Sequence, residues 1–588
     1  MFKLSRFLKN YKKEVLLGPA FKIVEAIFEL LVPLVMAEII DTGVKNKDTN
    51  YIFLMGGVML LLGVVGLCST LVCQKFASVA SQGFGTDVRN ALFKHILSFS
   101  NTEIDKFGTP TLITRLTNDI NQMQIAVSML IRLVVRAPFL VIGSIIMAMF
   151  LDLKLSLVFL AVTPLIALAL YFIMSRSVPY FRVIQKKLDR LSLITRENLS
   201  GARVIRAFSK KESETLRFSK ANDDLIKTYI NVGKISSLLN PVTYVIMNLG
   251  IIAVIWFGGI RVFEGALSQG KIIAFVNYMS QILIALIVVA NLVIIFTKAF
   301  ASAARINEVF GMKPSIYDEV KEASVIKKTD NIESDIKIKY KDINFSYTKE
   351  NEKQVLSDIK LDVIKGETLG IIGGTGSGKS TLVNLLLRLY DVESGEILID
   401  GKDIKNYTLK ELRYKIGMVP QNAILFSGTI AENLRYGNEN ATDEQIYHAL
   451  KVAQALEFVD KLKDGIKTNI NRDGKNLSGG QKQRLTIARA IVRDPDILIL
   501  DDSASALDYA TDAALRYSIK TESKDKTVII ISQRISTIKN SDKIAVLDDG
   551  MIVGIGTHDY LIEKCKIYQE IYNSQNTEKV SERNGSLQ

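Results

Sequence analysis

Cysteine is nearly absent: Cys68, Cys73 and Cys565 are the only three in 588 residues. That excludes a disulfide framework, and since Cys68 and Cys73 sit in or near an apolar run, packing is their default role. Histidine is as scarce, at His95, His448 and His558, so a histidine needed at a particular position has few stand-ins. No module of interleaved basic and aromatic residues is present, which argues against nucleic acid as a partner despite a formal charge of +13. No small-residue cleavage site follows the basic start (Lys3, Arg6, Lys9, Lys12, Lys13), so the N-terminus does not read as a cleavable signal peptide. Between Lys271 and Lys298 there is no charged residue at all.

What is present is unevenly spread. The chain is too long for one domain, and its long apolar runs crowd into the first half. Six spanning helices are expected, near 15–40, 51–73, 131–150, 155–174, 242–263 and 272–296. Each offers roughly the ~20 apolar residues that a bilayer requires. Pro19 and Pro33 in the first predict kinks, not a break. The long connections near 75–130 and 175–241 are rich in Lys and Arg and fall inside by the positive-inside rule, which also accounts for the basic charge. The chain thus reads as a multi-pass cell-membrane protein with its second half in the cytoplasm. Both connections carry helical periodicity, and local breaks at Phe107–Pro110 and Asn198–Gly201 predict turns that present short helices.

Polar residues inside the spans are candidates for function. Glu25 and Glu29 share a helix face, as do Arg132 and Arg136; Asn248, Asn277, Gln281 and Asn291 are uncharged. They suit either a polar cavity that handles substrate or helix-to-helix pairing.

The second half reads as soluble α/β. Gly373-Gly374-Thr375-Gly376-Ser377-Gly378-Lys379-Ser380-Thr381 fits G-x-x-x-x-G-K-[ST], with an apolar strand leading in and a helix leading out. Such a loop curls backbone N–H groups around phosphate oxygens, and the helix N-terminus adds its dipole. Lys379 is placed for the β/γ-phosphates and Ser380 for Mg²⁺. Further on come Val419-Pro420-Gln421, Leu477-Ser478-Gly479-Gly480-Gln481, the apolar strand ending in Asp501-Asp502, then Asp508, and a second apolar strand ending in Ser532-Gln533.

In this order, these motifs resemble those of an ABC transporter half of the exporter type, with six helices ahead of one ATPase domain. The resemblance runs from the first span to about residue 570. It implies a membrane domain over 1–310 and a P-loop NTPase domain of ABC type over 336–573; the charged, weakly periodic stretch 311–335 reads as a linker and the polar 574–588 as a flexible tail. It also implies roles. Tyr347 matches the aromatic that stacks on adenine, and Gln421 the glutamine that touches Mg²⁺ and senses the γ-phosphate. Ser478, Gly479, Gly480 and Gln481 match the signature that binds ATP held on the opposite subunit. Asp501 matches the Mg²⁺-supporting aspartate, and Asp508 the residue that speaks across the dimer. ATP and Mg²⁺ are therefore the expected ligands.

Two positions depart from the family pattern. Asp502 stands where a glutamate general base is usual, one methylene shorter, and Gln533 stands where a histidine is usual. None of the three histidines falls at an equivalent position. General acid–base help is worth ~10²–10⁴ in rate, so the site is expected to bind ATP and hydrolyse it slowly. Since ATP sites in this family are composite, the expected partner is a second half-transporter that supplies a glutamate and a histidine. The expected cargo is a hydrophobic or amphipathic compound, as in multidrug export, with lipid or peptide export and an ATP-gated sensor as alternatives.

Overall fold

The computed structural model describes residues 2–317, 335–347, 354–503, 506–522 and 525–585, with side chains described to Gln575. Most of the expected linker, 318–334, and the last three residues of the expected tail lie outside the described residues. The chain forms two compact units: Met1–Ser98 with Phe107–Lys313, and Phe99–Lys106 with Pro314–Gln588.

The first unit is all helix. Five of its helices are long and apolar enough to cross a membrane: Thr49–Leu97, Thr109–Leu151, Leu153–Ser200, Lys211–Phe263 and Gln269–Gly311. At 1.5 Å per residue, the 49-residue Thr49–Leu97 outlasts a ~30 Å hydrocarbon core twice over. The expected breaks coincide with helix ends: Gly108 adopts φ +73°, and Leu153–Ser200 stops before the short helix Ala202–Ala207. The helix covering the first expected span, Lys12–Glu38, runs unbroken through Pro19 and Pro33. It differs from the five in having no long stretch nearly free of charge, because Lys22, Glu25 and Glu29 stand at its middle.

Those charges are paired. Lys22 contacts Glu25, and Arg136 donates to Glu29 at 2.6 Å and lies 3.7 Å from Glu25. Gln281 donates to the Glu29 carbonyl at 3.2 Å and accepts from Ser144 at 3.3 Å. Glu25, Glu29, Arg136 and Gln281 are thus engaged with other helices. Asn277 is exposed and donates within its own helix to Ile273 O; Asn248 is exposed. Arg132 lies half-buried in a π turn, Leu130–Val134.

The second unit is built on two main sheets, with a small antiparallel ribbon of β7 (Gly428–Thr429) and β8 (Asn469–Ile470) beside them. Strands β1 (Ile336–Phe345), β2 (Leu356–Ile364), β4 (Ser394–Ile399) and β5 (Lys402–Asp403) form an antiparallel sheet in the order β2-β1-β4-β5. The main sheet runs β12-β11-β3-β10-β9-β6, with β3 Thr368–Gly373, β6 Ile416–Val419, β9 Ile497–Asp501, β10 Thr527–Ile531, β11 Lys543–Asp548 and β12 Met551–Gly556. Its strands are parallel except for the edge strand β12. Parallel strands buried on both faces read as continuous apolar runs, and every residue of β9 is buried. Ile371 packs on one side with Leu382 and Leu386, while Leu498 and Leu500 pack on the other with Leu485 and Ala488. The backbone from Lys566 is helical to Gly585, through the first part of the tail expected from 574.

Candidate functional site

Topology brings together residues more than a hundred positions apart. β10 lies between β3 and β9, with Ile531 in register with both Ile371 and Asp501. The phosphate-loop glycines, Asp501 and Ser532-Gln533 therefore emerge side by side at the C-terminal ends of neighbouring parallel strands, where open α/β sheets bind their ligands. A cavity of about 340 Å³ opens there, lined by Thr375, Gly376, Gly378–Thr381, Asp501, Asp502 and Gln533, among others. Tyr347 and Gln421 border it as well. So do Val355, Ile531 and Ser532, which carried no sequence motif of their own.

The loop needs its glycines. A Cβ on Gly373 would stand 2.0 Å from the Leu547 carbonyl oxygen, and Gly378 adopts φ +96° as it starts the helix Lys379–Leu386. The buried Lys379 amine turns into the loop, donating to Gly373 O at 3.0 Å, Gly374 O at 2.6 Å and Ser377 Oγ at 3.3 Å. Burial pulls its pKa below the ordinary lysine value, against the pull of Asp501 and Asp502. Ser380 Oγ donates to Asp501 Oδ1 at 3.2 Å. Tyr347 OH lies 2.9 Å from Thr381 Oγ1, and its ring meets Phe345 and Tyr390 edge-on.

Asp502 sits in the left-handed region at φ +44°, its N–H bonded to Ile531 O at 2.9 Å. Gln421 Nε2 reaches its Oδ2 only at 3.5 Å. Burial raises the pKa of both Asp501 and Asp502; the neighbouring Asp502 charge adds to the rise at Asp501, and Arg534 opposes it at Asp502. Between the unfolded value near ~3.9 and the raised folded value, the native domain holds more protons than the unfolded chain. The stability contributed by these two groups therefore falls as pH rises through that window and is level above it. A cation at the expected Mg²⁺ position, which Asp501 is expected to support through water, would favour the ionised carboxylate. Mg²⁺-supported ATP binding is thus expected to weaken as pH drops through the window, with proton uptake on Mg²⁺ removal. Titration calorimetry in buffers of different ionisation enthalpy checks this, and Asp501→Asn should flatten the dependence.

The signature residues and Asp508 do not line the cavity. Ser478 and Gln481 cap the helix Gly479–Ile491 reciprocally, Ser478 Oγ accepting from Gln481 N–H and Gln481 Oε1 from Ser478 N–H. The Gln481 side chain is engaged in this capping box, an S-x-x-Q pattern legible in sequence. Ser478 and Gly479 are exposed. Asp508 caps Tyr509–Glu522 through Thr511 N–H at 2.9 Å and Thr511 Oγ1 at 2.8 Å, which holds its pKa below the ordinary aspartate value. Elsewhere in this unit, Tyr390 OH donates to Asp105 at 2.7 Å, and Glu103 accepts from Ser315 N–H at 3.2 Å. The short helix Asn101–Phe107 was placed by its break, but these partners were not legible.

Comparison with known proteins agrees with this architecture. Residues 15–286 match the ABC transporter transmembrane region and residues 356–505 the ABC transporter ATPase family. An uncharacterised ABC transporter ATP-binding protein of Mycobacterium tuberculosis is 39% identical over 97% of both chains. The ATP-dependent lipid A-core flippase of Vibrio parahaemolyticus is 30% identical over 97% of both. A bacterial Atm1-family ABC exporter solved with ATP bound shares the fold at a TM-score of 0.76, with 22% identity over 97% of this chain and 98% of that one. The chain belongs to the ABC transporter family: it is an exporter-type half-transporter, a multi-pass membrane domain joined to a cytoplasmic ATP-binding domain whose ATPase activity is coupled to transport.

Proposed function

We propose that this chain is one subunit of a heterodimeric exporter, and that its own nucleotide site holds ATP far longer than it takes to hydrolyse it. One observation carries the reading. The cavity presents Asp502 and Gln533 at the two positions where hydrolysis depends on side-chain reach. A carboxylate one methylene short of glutamate is poorly placed for a water that must lie within ~2.6–3.2 Å of a base.

ATP and Mg²⁺ fit the residues present. Phosphate oxygens would replace the carbonyls that Lys379 now contacts, and Gly373 to Ser377 would supply N–H groups. Ser380 Oγ and Asp501 offer a hydroxyl and a carboxylate close together, the hard oxygen donors that Mg²⁺ prefers, with water and phosphate completing its shell. Gln421 lies beside them. Tyr347 offers its ring to the base.

A second chain is favoured because Ser478, Gly479 and Gly480 are outside this chain's cavity and open to solvent or partly so. Leu199, Val204 and Phe208, in and around the exposed helix Ala202–Ala207, are uncovered apolar side chains. In the heterodimer this signature completes the faster site on the partner, and Asp508 faces the same interface. The partner is a half-transporter with a glutamate and a histidine at the two altered positions. The helix Lys12–Glu38 is the sixth span, its mid-helix charges made tolerable by pairing with Arg136.

The cargo is a hydrophobic or amphipathic compound of multidrug type, with Arg132, Asn248 and Asn277 as candidate contacts. The Vibrio relative, a lipid A-core flippase by name, favours a lipid as the second reading. Proteoliposomes containing both subunits test both, with efflux of an amphipathic dye set against flipping of a labelled lipid. ATP-dependent movement of neither would leave an ATP-gated sensor instead.

A further inference from the structure

The Gln533 carbonyl is bonded by a residue more than forty positions away, on the C-terminal helix. Gln533 stands two residues past the end of β10 and borders the nucleotide cavity. Two residues later the short helix Ile535–Ile538 begins, so the first N–H groups of that helix need partners from outside it. Gln575 meets both needs with one side chain. Its Nε2 donates to Gln533 O at 2.7 Å, and its Oε1 accepts from Ile535 N–H at 2.9 Å. A single amide brackets the three-residue loop from both ends.

The bracket is rigidly mounted. Tyr568, on the same helix as Gln575, is fully buried and lies 2.7 Å through its hydroxyl from His558 Nδ1. Ile571 and Tyr572 pack against a cluster that contains Ile535 and Ile538 themselves. The far side of the loop is held separately: Arg516 Nη1 donates to Ser536 O at 3.1 Å, and Arg534 N–H donates to Ser532 Oγ at 3.0 Å. Of these ties, only the Gln575 amide holds the carbonyl of Gln533. The Arg534 N–H belongs to the same peptide group, so Ser532 Oγ and Gln575 fix its plane together; release of both Gln575 bonds would let the segment from Gln533 to Ile535 shift and carry the Gln533 side chain with it.

We propose that Gln575 is a positioning residue for the ATP site, and that the C-terminal helix thereby fixes the wall that Gln533 presents to the terminal phosphate. The proposal rests on the reading of this cavity as an ATP site. Misplacement of a reacting group by ~1 Å costs up to ~10²-fold in rate. Loss of one bracket bond, with the second anchor still in place, is expected to cost about fivefold to tenfold.

The test uses the full-length chain in lipid nanodiscs with Mg-ATP. Gln575→Leu keeps the size and removes both bonds. Gln575→Glu keeps the acceptor for Ile535 N–H and loses the donor to Gln533 O. Amide exchange without nucleotide should quicken at Ile535 in Gln575→Leu and stay slow in Gln575→Glu. Single-turnover cleavage of bound ATP should slow about fivefold to tenfold in both variants, with ATP affinity within about twofold of wild type. Cleavage at the wild-type rate in Gln575→Leu, with Ile535 exchange raised, would overturn the positioning role. An affinity loss as large as the rate loss would make Gln575 a structural residue and overturn it too. Failure of the unmodified chain to bind ATP would overturn the reading of the cavity, while the exchange result would still report on the bracket.

Discussion

Arginine in place of Ser478 is expected to lower the steady-state ATPase rate of the assembled two-subunit transporter by about 10²–10³-fold. The size follows from what the signature supplies. Ser478 and the N-terminus of the helix Gly479–Ile491 present a hydroxyl and unpaired N–H groups. On the present account these face the terminal phosphate of ATP on the partner, where charge builds up during cleavage. Losing one such donor costs about that much in acyl-transfer enzymes, and a guanidinium group also obstructs the interface. Folding is not the cause: losing the cap costs only about 1 kcal/mol, and Ser478→Thr, which keeps the cap, should stay within a few-fold of wild type. The asymmetry is the informative part. The equivalent substitution on the partner touches the slow site and should cost less than about tenfold, because little of the turnover passes through it. ATPase assays on the two co-purified variants check this.

Lys379→Ala should remove ATP from this subunit while leaving it on the partner. The Lys379 amine now rests against Gly373 O, Gly374 O and Ser377 Oγ in a buried position. Phosphate oxygens in that place would receive the same three donor directions from a full positive charge. Hydrogen bonds to charged groups are worth about 1.5–3 kcal/mol each, so losing two weakens binding by about 10²–10⁴-fold. The variant should fold, since the loop carbonyls border an open cavity and can be hydrated once the amine is gone. Photolabelling with an azido-ATP, read on each subunit separately, measures it. Equal loss of label from both subunits would mean that the sites are not separable in the way proposed.

Much of this site is legible without coordinates because its chemistry is local. Gly373 to Thr381 declare a phosphate loop by spacing, and the apolar runs before Asp501 and Gln533 declare strands buried on both faces. Parallel pairing then forces their ends together. Other parts depend on tertiary contacts that leave no trace in a local window. Glu25, Glu29 and Arg136 are evident as intramembrane charges, but their mutual pairing depends on how two helices 107 residues apart in sequence pack. Gln575 stands in a polar stretch that composition assigns to a tail, and nothing nearby in sequence marks the loop it brackets. In the first helix Lys22 pairs with Glu25 one turn on, while Glu29 finds its partner, Arg136, on another helix.

The central claim is that this chain's site binds ATP normally and hydrolyses it slowly because of Asp502 and Gln533. The most direct measurement takes the assembled two-subunit transporter with the partner's own ATP site inactivated and compares it with the Asp502→Glu, Gln533→His double variant of this chain. ATP affinity and single-turnover cleavage are read on both. The account expects affinity within about twofold and cleavage at least about tenfold faster in the double variant, within the ~10²–10⁴ that acid–base help supplies. A wild-type chain that already cleaves bound ATP at the rate of the double variant would contradict it.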